Sequence, residues 1–379
     1  MTGPTTNAPL ADLAARMEAG GANLTVEAPA GARLAIGADP DRARVVFRNE
    51  RALGALLRGD HLALAEAYLR GEVDLAGDLS QVLRVTDFLD MGKPSRLRER
   101  AHWLRYLVDR RRLDRRSVAA HYDRPPEFFL AWLDPSRSYT HGFYASADDS
   151  LEAAQRRKLQ YAIDALGLRP GMDALDVGCG WGSFLEYAGA RGIRVHGITL
   201  SRAQHDFVAE RIRAHGLPCT VTLVDFFDYR PPLAFDGAVF MGSLEHIPDH
   251  RSVAAFLARH LKPAARVYAD FVTTREGRLA GAFLRKYIFP GVTGYVELGR
   301  LVGALGRAGF DPSAIGDDTL SSAWTVRDWA RELQRHGERL AERHGAVAVR
   351  AFLLYLWSSH HFLATGRTQA YHLVAGREP

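Results

Sequence analysis

Cysteine is scarce: only Cys179 and Cys219 occur in 379 residues. Two thiols cannot make a disulfide framework, and neither stands at metal-ligand spacing. A cystine-stapled fold and a zinc module are therefore excluded, and two reduced thiols are expected. Long apolar runs are missing as well. The longest late one, "AFLLYLW" at 351–357, is seven residues, against the roughly 20 that a membrane-spanning helix needs. "MTGPTTNAPLADLAARMEAGGANLTV" has no basic start followed by an apolar run, so no secretory leader is expected and the chain reads as soluble and cytoplasmic. No internal repeat or low-complexity stretch stands out. The net charge of +5 comes with no nucleic-acid recognition motif, so nucleic acid is not an expected partner.

What is present is an ordinary globular composition, 47% hydrophobic and 25% charged, on a chain long enough for two or three domains. The positive charge is concentrated. Lys93 to Arg116 hold ten Lys or Arg against three acids, with Trp103, Leu104, Tyr106, Leu107 and Val108 interleaved. That mixture suits an amphipathic segment resting on an anionic membrane surface, which would place the protein peripherally at the inner membrane. It suits a solvated helix between domains equally well.

Residues 1–22 read as a flexible tail. "LTVEAPAGARLAIG" alternates like a hairpin turning at Ala-Gly, "RARVVFRNE" reads as a further strand, and "RALGALLRGDHLALAEAYLRGE" has helical spacing broken at Gly59 and Gly71. These predict a small α+β domain over 23–92, followed by a basic linker over 93–120. From 121 to 379 the rhythm becomes strand, helix, strand. Strands are predicted at 173–178, 194–200, 220–226, 235–243, 265–272 and 370–375. This alternation specifies an α/β fold with a doubly wound, mainly parallel, Rossmann-like sheet, whose ligand sits beyond the C-terminal strand ends. The stretch 273–365 is too long for one crossover and reads as an inserted helical element covering the substrate.

"LDVGCGWGSF" follows the first strand of that sheet. Gly178, Gly180 and Gly182 allow close approach of backbone to a ligand. Their G-x-G-x-G spacing differs from the G-x-G-x-x-G of dinucleotide sites, and the acid that would hold an NAD ribose is absent from "GITLSRAQ". Asp176 precedes the first glycine, where its carboxylate can orient the loop or meet a cation. Asp225 can accept from an adenine amino group, with Phe226 beside it to stack. A nucleoside with a positive centre and no phosphate fits these groups, and S-adenosylmethionine is such a molecule.

The segments "HYDRPPEFFLAWLDPSRSYTHGFY", "LEAAQRRKLQYAIDALGLRPGMDALDVGCGWGSFLEYAGARG", "GITLSRAQ", "GSLEHI" and "RKYIFPG" together resemble the cyclopropane-fatty-acid synthase family of S-adenosylmethionine-dependent methyltransferases. The resemblance runs from about residue 24 to the C-terminus. It implies that the 23–92 domain handles lipid. It places Tyr139 and Thr140 at the cofactor's amino-acid end over Gly178 and Gly180, Thr199, Leu200 and Gln204 at the ribose side, and Asp225 and Phe226 at the adenine. Tyr122 and Tyr287 fall on the substrate channel and Glu245 on the family's catalytic glutamate. The implied reaction methylates an alkene of an unsaturated phospholipid or other lipid acyl chain, and proton loss then gives a cyclopropane or a methyl- or methylene-bearing product. A homodimer is compatible with the family.

In the family the base is a bicarbonate held by a cysteine, the glutamate, a histidine and a tyrosine. Here His141 stands at the cysteine place, Asp270 at the histidine place, and Ser322 near the tyrosine place. An added aspartate repels an anion, which counts against bicarbonate as a cofactor. The two exchanges suggest instead that His141 is the base and that Asp270 fixes its tautomer. The same exchanges leave open a smaller, more polar metabolite as substrate, and a catalytically silent cofactor- or lipid-binding protein. No metal is expected: His360 and His361 are adjacent on a helix and point apart.

Overall fold

The structure is a computed structural model in which residues 7–29, 31–88, 124–247, 249–274, 281–289 and 295–377 are described. They fall into two units: residues 7–88 with Gly337–His361, and residues 124–336 with 362–377. The basic linker over 93–120 and Tyr122 lie outside the described residues.

In the first unit the hairpin forms where the alternation predicts it. Strand β1 (Leu24–Glu27) pairs antiparallel with β2 (Arg33–Ile36), setting Leu24 opposite Ile36. Strand β3 (Ala43–Phe47) runs parallel to β1, and β4 (Val73–Gly77) closes the order β2-β1-β3-β4. Between β3 and β4 the helices Glu50–Leu57 and His61–Leu69 begin at Asn49 and Asp60, whose side chains accept from the Ala52 and Ala63 amides. Gly59 and Gly71 break the pattern with φ of 64° and 75°.

Two expectations are corrected in this unit. The flexible tail contains the helix Asn7–Ala19. Its Leu13, Ala14 and Met17 are buried, and it packs on β2 and on the helix Leu79–Phe88. The glycine pair after it ends a packed helix, with Gly21 at φ 74°. Leu13→Ala should therefore lower the unfolding free energy of this unit by about 2–4 kcal/mol. Arg16→Ala, which removes only an exposed i,i+4 pair with Asp12, should cost under ~0.5 kcal/mol. Denaturant titrations of the two variants would compare them, and equal midpoints would mean that the helix is not docked. The second correction concerns the insertion over 273–365. Part of it, Gly337–His361, belongs to this N-terminal unit. Arg350 donates to the carbonyls of Tyr68 and Val73 and to Asp74, while Leu353, Leu354 and Trp357 meet Tyr68, Leu75 and Leu79.

The second unit is built on a seven-stranded sheet in the order β10-β11-β9-β8-β5-β6-β7. Strands β5 (Asp173–Val177), β6 (Arg194–Thr199), β7 (Thr220–Leu223), β8 (Phe235–Met241) and β9 (Leu261–Thr273) are mutually parallel. β11 (Gln369–Arg377) and β10 (Phe310–Asp317) are antiparallel additions. From β5 the chain winds outward to β6 and β7, then returns past β5 to β8 and β9. The switch point therefore lies between the carboxyl ends of β5 and β8, where such sheets open a ligand crevice. β7 stops three residues short of the expected 226, because the Asp225 carboxylate accepts from the Phe227 amide at 2.9 Å and turns the chain.

β10 lies inside the stretch expected to be helical. "FDPSAIGD" carries a proline, a glycine and two acids and shows no apolar alternation. As an edge strand it needs only one ladder, and it bulges between Pro312 and Ala314. Among the described residues no helix is long and apolar enough to cross a membrane.

Candidate active site

A cavity of about 240 Å3 opens at the switch point. The glycine turn forms its floor. Gly178 has φ 76° and Gly180 φ 55°, backbone conformations that L side chains rarely adopt. A Cβ on Gly178 would lie 2.7 Å from the Ser243 Cβ. The Gly178 and Cys179 amides donate to the Ile198 carbonyl, which ties the turn to β6. Of the three glycines expected at the cofactor, Gly178 and Gly180 line the cavity and Gly182 does not. At φ 80° it starts the helix Ser183–Gly189, and a Cβ there would press on Val208 at 3.1 Å. Its role is helix–helix packing.

Tyr139 and Thr140 line the opposite wall. They run along the helix Leu151–Leu166, where fully buried Gln155 donates to the Thr140 carbonyl at 2.6 Å and fully buried Lys158 donates to its hydroxyl. Phe129, Trp132 and Trp329 surround the Tyr139 ring, with centroids 5.6, 5.3 and 5.2 Å away. Arg137, at φ 64°, also lines the cavity, but its guanidinium is engaged by Glu186 at 2.7 Å and by the Pro135 carbonyl at 2.9 Å. Beyond the glycine turn, Thr199 donates to Gln204 Oε1 at 2.8 Å and fixes that amide beside Leu200. Asp225, Phe226 and Phe227 close the far end, where Phe226 packs on Phe256 at 4.7 Å.

Polar atoms without partners converge where β5, β8 and β9 end. Asp176 Oδ2, Ser243 Oγ, Glu245 Oε2 and Asp270 Oδ1 are buried and accept or donate no hydrogen bond among the described residues. Such atoms are costly unless something fills the space they face. Asp176 lines the cavity, and burial pushes its carboxyl up to about 7 against the pull of Lys158. Glu245 stands on the short turn Leu244–His246, where Oε1 accepts from the Val272 amide at 2.8 Å. Burial pushes it up to about 7 as well. His246 lines the cavity, and burial pushes its imidazole down to about 4, so it is neutral there at physiological pH.

His141 and Asp270 are not the pair that the sequence suggests. His141 Nε2 lies 3.2 Å from Asp318 Oδ2, and His372 Nδ1 lies 2.7 Å from the same oxygen. Burial alone would raise the Asp318 carboxyl, but the hydrogen bonds from both histidines outweigh it and hold it below the usual carboxylate range. Asp270 instead accepts from the Tyr268 hydroxyl at 3.3 Å and lies 3.8 Å from Lys158 Nζ. Burial lowers the Lys158 pKa, and Asp270, Asp134, Asp318 and Asp176 oppose that shift. The reason for the mispairing is sequence distance. β10 and β11 deliver Asp318 and His372 to the far side of His141, and β10 was not foreseen.

Neither His141, Glu245, Asp270 nor Tyr287 lines the 240 Å3 cavity itself. Tyr287 sits on the turn Leu284–Ile288 against Phe283 at 5.5 Å. Sequence reasoning missed Lys158, Ser243, Asp318 and His372. Only Lys158 left a trace, as the one cation among the inward-facing positions of "LEAAQRRKLQYAIDAL".

The residues fit S-adenosylmethionine. The glycine cradle admits a backbone approach, the partnerless Asp176 carboxylate answers a cationic amino group, and Arg137 is the only Lys or Arg in the lining and is already engaged, so no phosphate is expected. Fold and cavity together define an S-adenosylmethionine-dependent methyltransferase. Residues 109–373 match the family model for mycolic acid cyclopropane synthetase. The chain is 28% identical over 358 residues to a probable fatty acid methyltransferase of Mycobacterium tuberculosis, covering 83% of this chain and 82% of that one. To a probable fatty acid methyltransferase of Pseudomonas putida it is 27% identical, covering 82% and 81%. The solved structure of the cyclopropane synthase MmaA2 from M. tuberculosis is similar at a TM-score of 0.65 and 26% identity, covering 69% of this chain and 98% of that one. The chain belongs to the mycolic acid cyclopropane synthetase family.

Proposed function

We propose that the protein methylates a carbon–carbon double bond in an unsaturated lipid acyl chain and resolves the resulting cation by proton loss, giving a cyclopropane or a methyl- or methylene-bearing product. S-Adenosylmethionine, when bound, supplies an electrophilic methyl on a sulfonium. In this reading Tyr139, Thr140, Asp176, Gly178 and Gly180 hold its amino-acid end, Thr199, Leu200 and Gln204 its ribose, and Asp225 and Phe226 its adenine. Glu245 and Asp270 present negative charge to the acceptor side, and the aromatic wall around Tyr139 tolerates positive charge. The observation that carries the reading is the convergence of partnerless carboxylate oxygens from Asp176, Glu245 and Asp270 at the switch point. A site that must stabilise a transient cation needs such charges and little water. The names of the two fatty acid methyltransferase relatives support an acyl substrate. The arginine-rich segment 93–116 supports docking on an anionic membrane surface.

The test is methyl-labelled S-adenosylmethionine with phosphatidylglycerol vesicles carrying monounsaturated chains, followed by mass spectrometry of the released fatty acids. The expected result is a labelled fatty acid heavier by one CH2 unit. Unlabelled lipid beside normal cofactor binding would overturn the acyl-chain substrate and turn attention to small unsaturated metabolites.

A further inference from the structure

We infer that Asp270 is the proton acceptor of the reaction, a carboxylate belonging to the chain itself and held ready by Lys158 and Tyr268. The inference rests on the methyltransferase reading above and names the group that finishes its chemistry.

Asp270 is 1% exposed and sits near the carboxyl end of β9. Its two oxygens differ. Oδ2 receives the Tyr268 hydroxyl at 3.3 Å and faces the Lys158 ammonium at 3.8 Å, whereas Oδ1 has no partner among the described residues. A carboxylate anchored by one oxygen and bare at the other is oriented for a single transfer. The fully buried Lys158 sets a cationic partner 3.8 Å from Oδ2 and leaves Oδ1 bare. Asp270 stands one residue behind the cavity lining on both sides. Lys158 also donates to the hydroxyl of the lining residue Thr140, and the amide of Gly242, another lining residue, donates to the Asp270 carbonyl at 3.1 Å. His141 is an inferior candidate because its Nε2 is held by Asp318.

The step balances simply. The methylated substrate is a carbocation. A C–H bond of the newly added methyl (for ring closure) or of a carbon next to the cationic carbon (for an alkene) breaks, and its proton passes to Asp270 Oδ1. The electron pair left behind closes either the third ring bond or a new double bond, so cation and carboxylate become neutral product and carboxylic acid. The proton returns to water after product leaves. A carbocation is a very strong acid, so position and ionisation of the acceptor matter more than its basicity.

The probe is a long-chain alkyltrimethylammonium, whose fixed cation imitates the carbocation, titrated calorimetrically into the full-length protein loaded with S-adenosylhomocysteine. A fatty alcohol of the same length is the uncharged control. Asp270→Asn should weaken ammonium binding at least about tenfold relative to wild type, leave alcohol binding within about twofold, and lower turnover on a labelled lipid about a hundredfold. Asp270→Glu should restore most of the ammonium affinity. If Asp270→Asn fails to bind S-adenosylhomocysteine, the double variant with Lys158→Met removes the stranded ammonium and takes its place. Equal ammonium affinity in wild type and variant, or no ammonium binding by wild type, overturns the assignment. Discrimination by Asp270 in a protein that leaves every lipid unlabelled overturns the acyl-chain reading alone.

Discussion

Gly178→Ala is expected to weaken binding of S-adenosylmethionine at least about a hundredfold, equivalent to ~2.7 kcal/mol, while the protein still unfolds cooperatively. Two costs coincide at this position. An L residue at φ 76° is disfavoured by roughly 1–2 kcal/mol. The added Cβ would also sit 2.7 Å from the Ser243 Cβ, in the narrow gap between the ends of β5 and β8. Relief requires moving Ser243 or the turn, and either movement narrows the place proposed for the cofactor's amino-acid end. Gly180→Ala is the matched control. Its φ is 55° but the nearest atom to a Cβ is 4.0 Å away, so only the backbone cost applies and a loss of about tenfold is expected. Calorimetric titration of both variants decides the matter. Gly178→Ala binding within threefold of wild type would mean that the turn is not the cofactor's floor.

Glu245→Gln should lower kcat by about 10²–10³ with cofactor affinity unchanged within a few-fold, since it removes charge aimed at a developing cation without altering shape. The Val272 amide, donated to Oε1 at 2.8 Å, can be accepted by the amide oxygen of glutamine, so the side chain stays in place. A pH signature accompanies the loss. Burial pushes the Glu245 carboxyl up to about 7, and the ionised form is the useful one, so wild-type kcat should rise as pH increases through about 7. That limb should be absent from the residual activity of Glu245→Gln. Stability runs the other way. Asp176 and Glu245 are both held above their ordinary values of 3.8 and 4.5, at about 7. The fold therefore binds more protons than the unfolded chain between those limits, and the stabilisation present at low pH is lost as pH rises through about 7. Melting curves of the unliganded protein should fall between pH 5 and 8, less so in the glutamine variant. A flat kcat profile in wild type would remove Glu245 from the chemistry.

Much of the fold was legible because the parallel core strands are short apolar runs bounded by glycine. "DALDVG" and "FDGAVFMGS" can be little else once helices alternate with them. The glycine turn was equally legible, since its spacing dictates backbone shape within ten residues. β10 was not. An edge strand paired on one side tolerates Pro312 and Gly316 and carries no periodic signal. The helix Asn7–Ala19 was hidden by its setting, because flanking glycines and a polar start imitate loose chain. The reassignment of Gly337–His361 to the N-terminal unit had no local mark at all, for an apolar helix face does not name its partner.

The same division runs through the site. Sequence by itself determined the doubly wound sheet, the glycine turn at its switch point, and Asp176 on the strand that leads into that turn. Those depend on local geometry and strand order, which short-range pattern encodes. Tertiary structure decided the pairings, giving His141 and His372 to Asp318, and Asp270 to Lys158 and Tyr268. Except for Tyr268 and Asp270, these partners are separated by 54 to 177 residues or come from different elements. In a buried setting the charge that a carboxylate faces is chosen by which elements pack beside it, and that choice settles which oxygen is free to react.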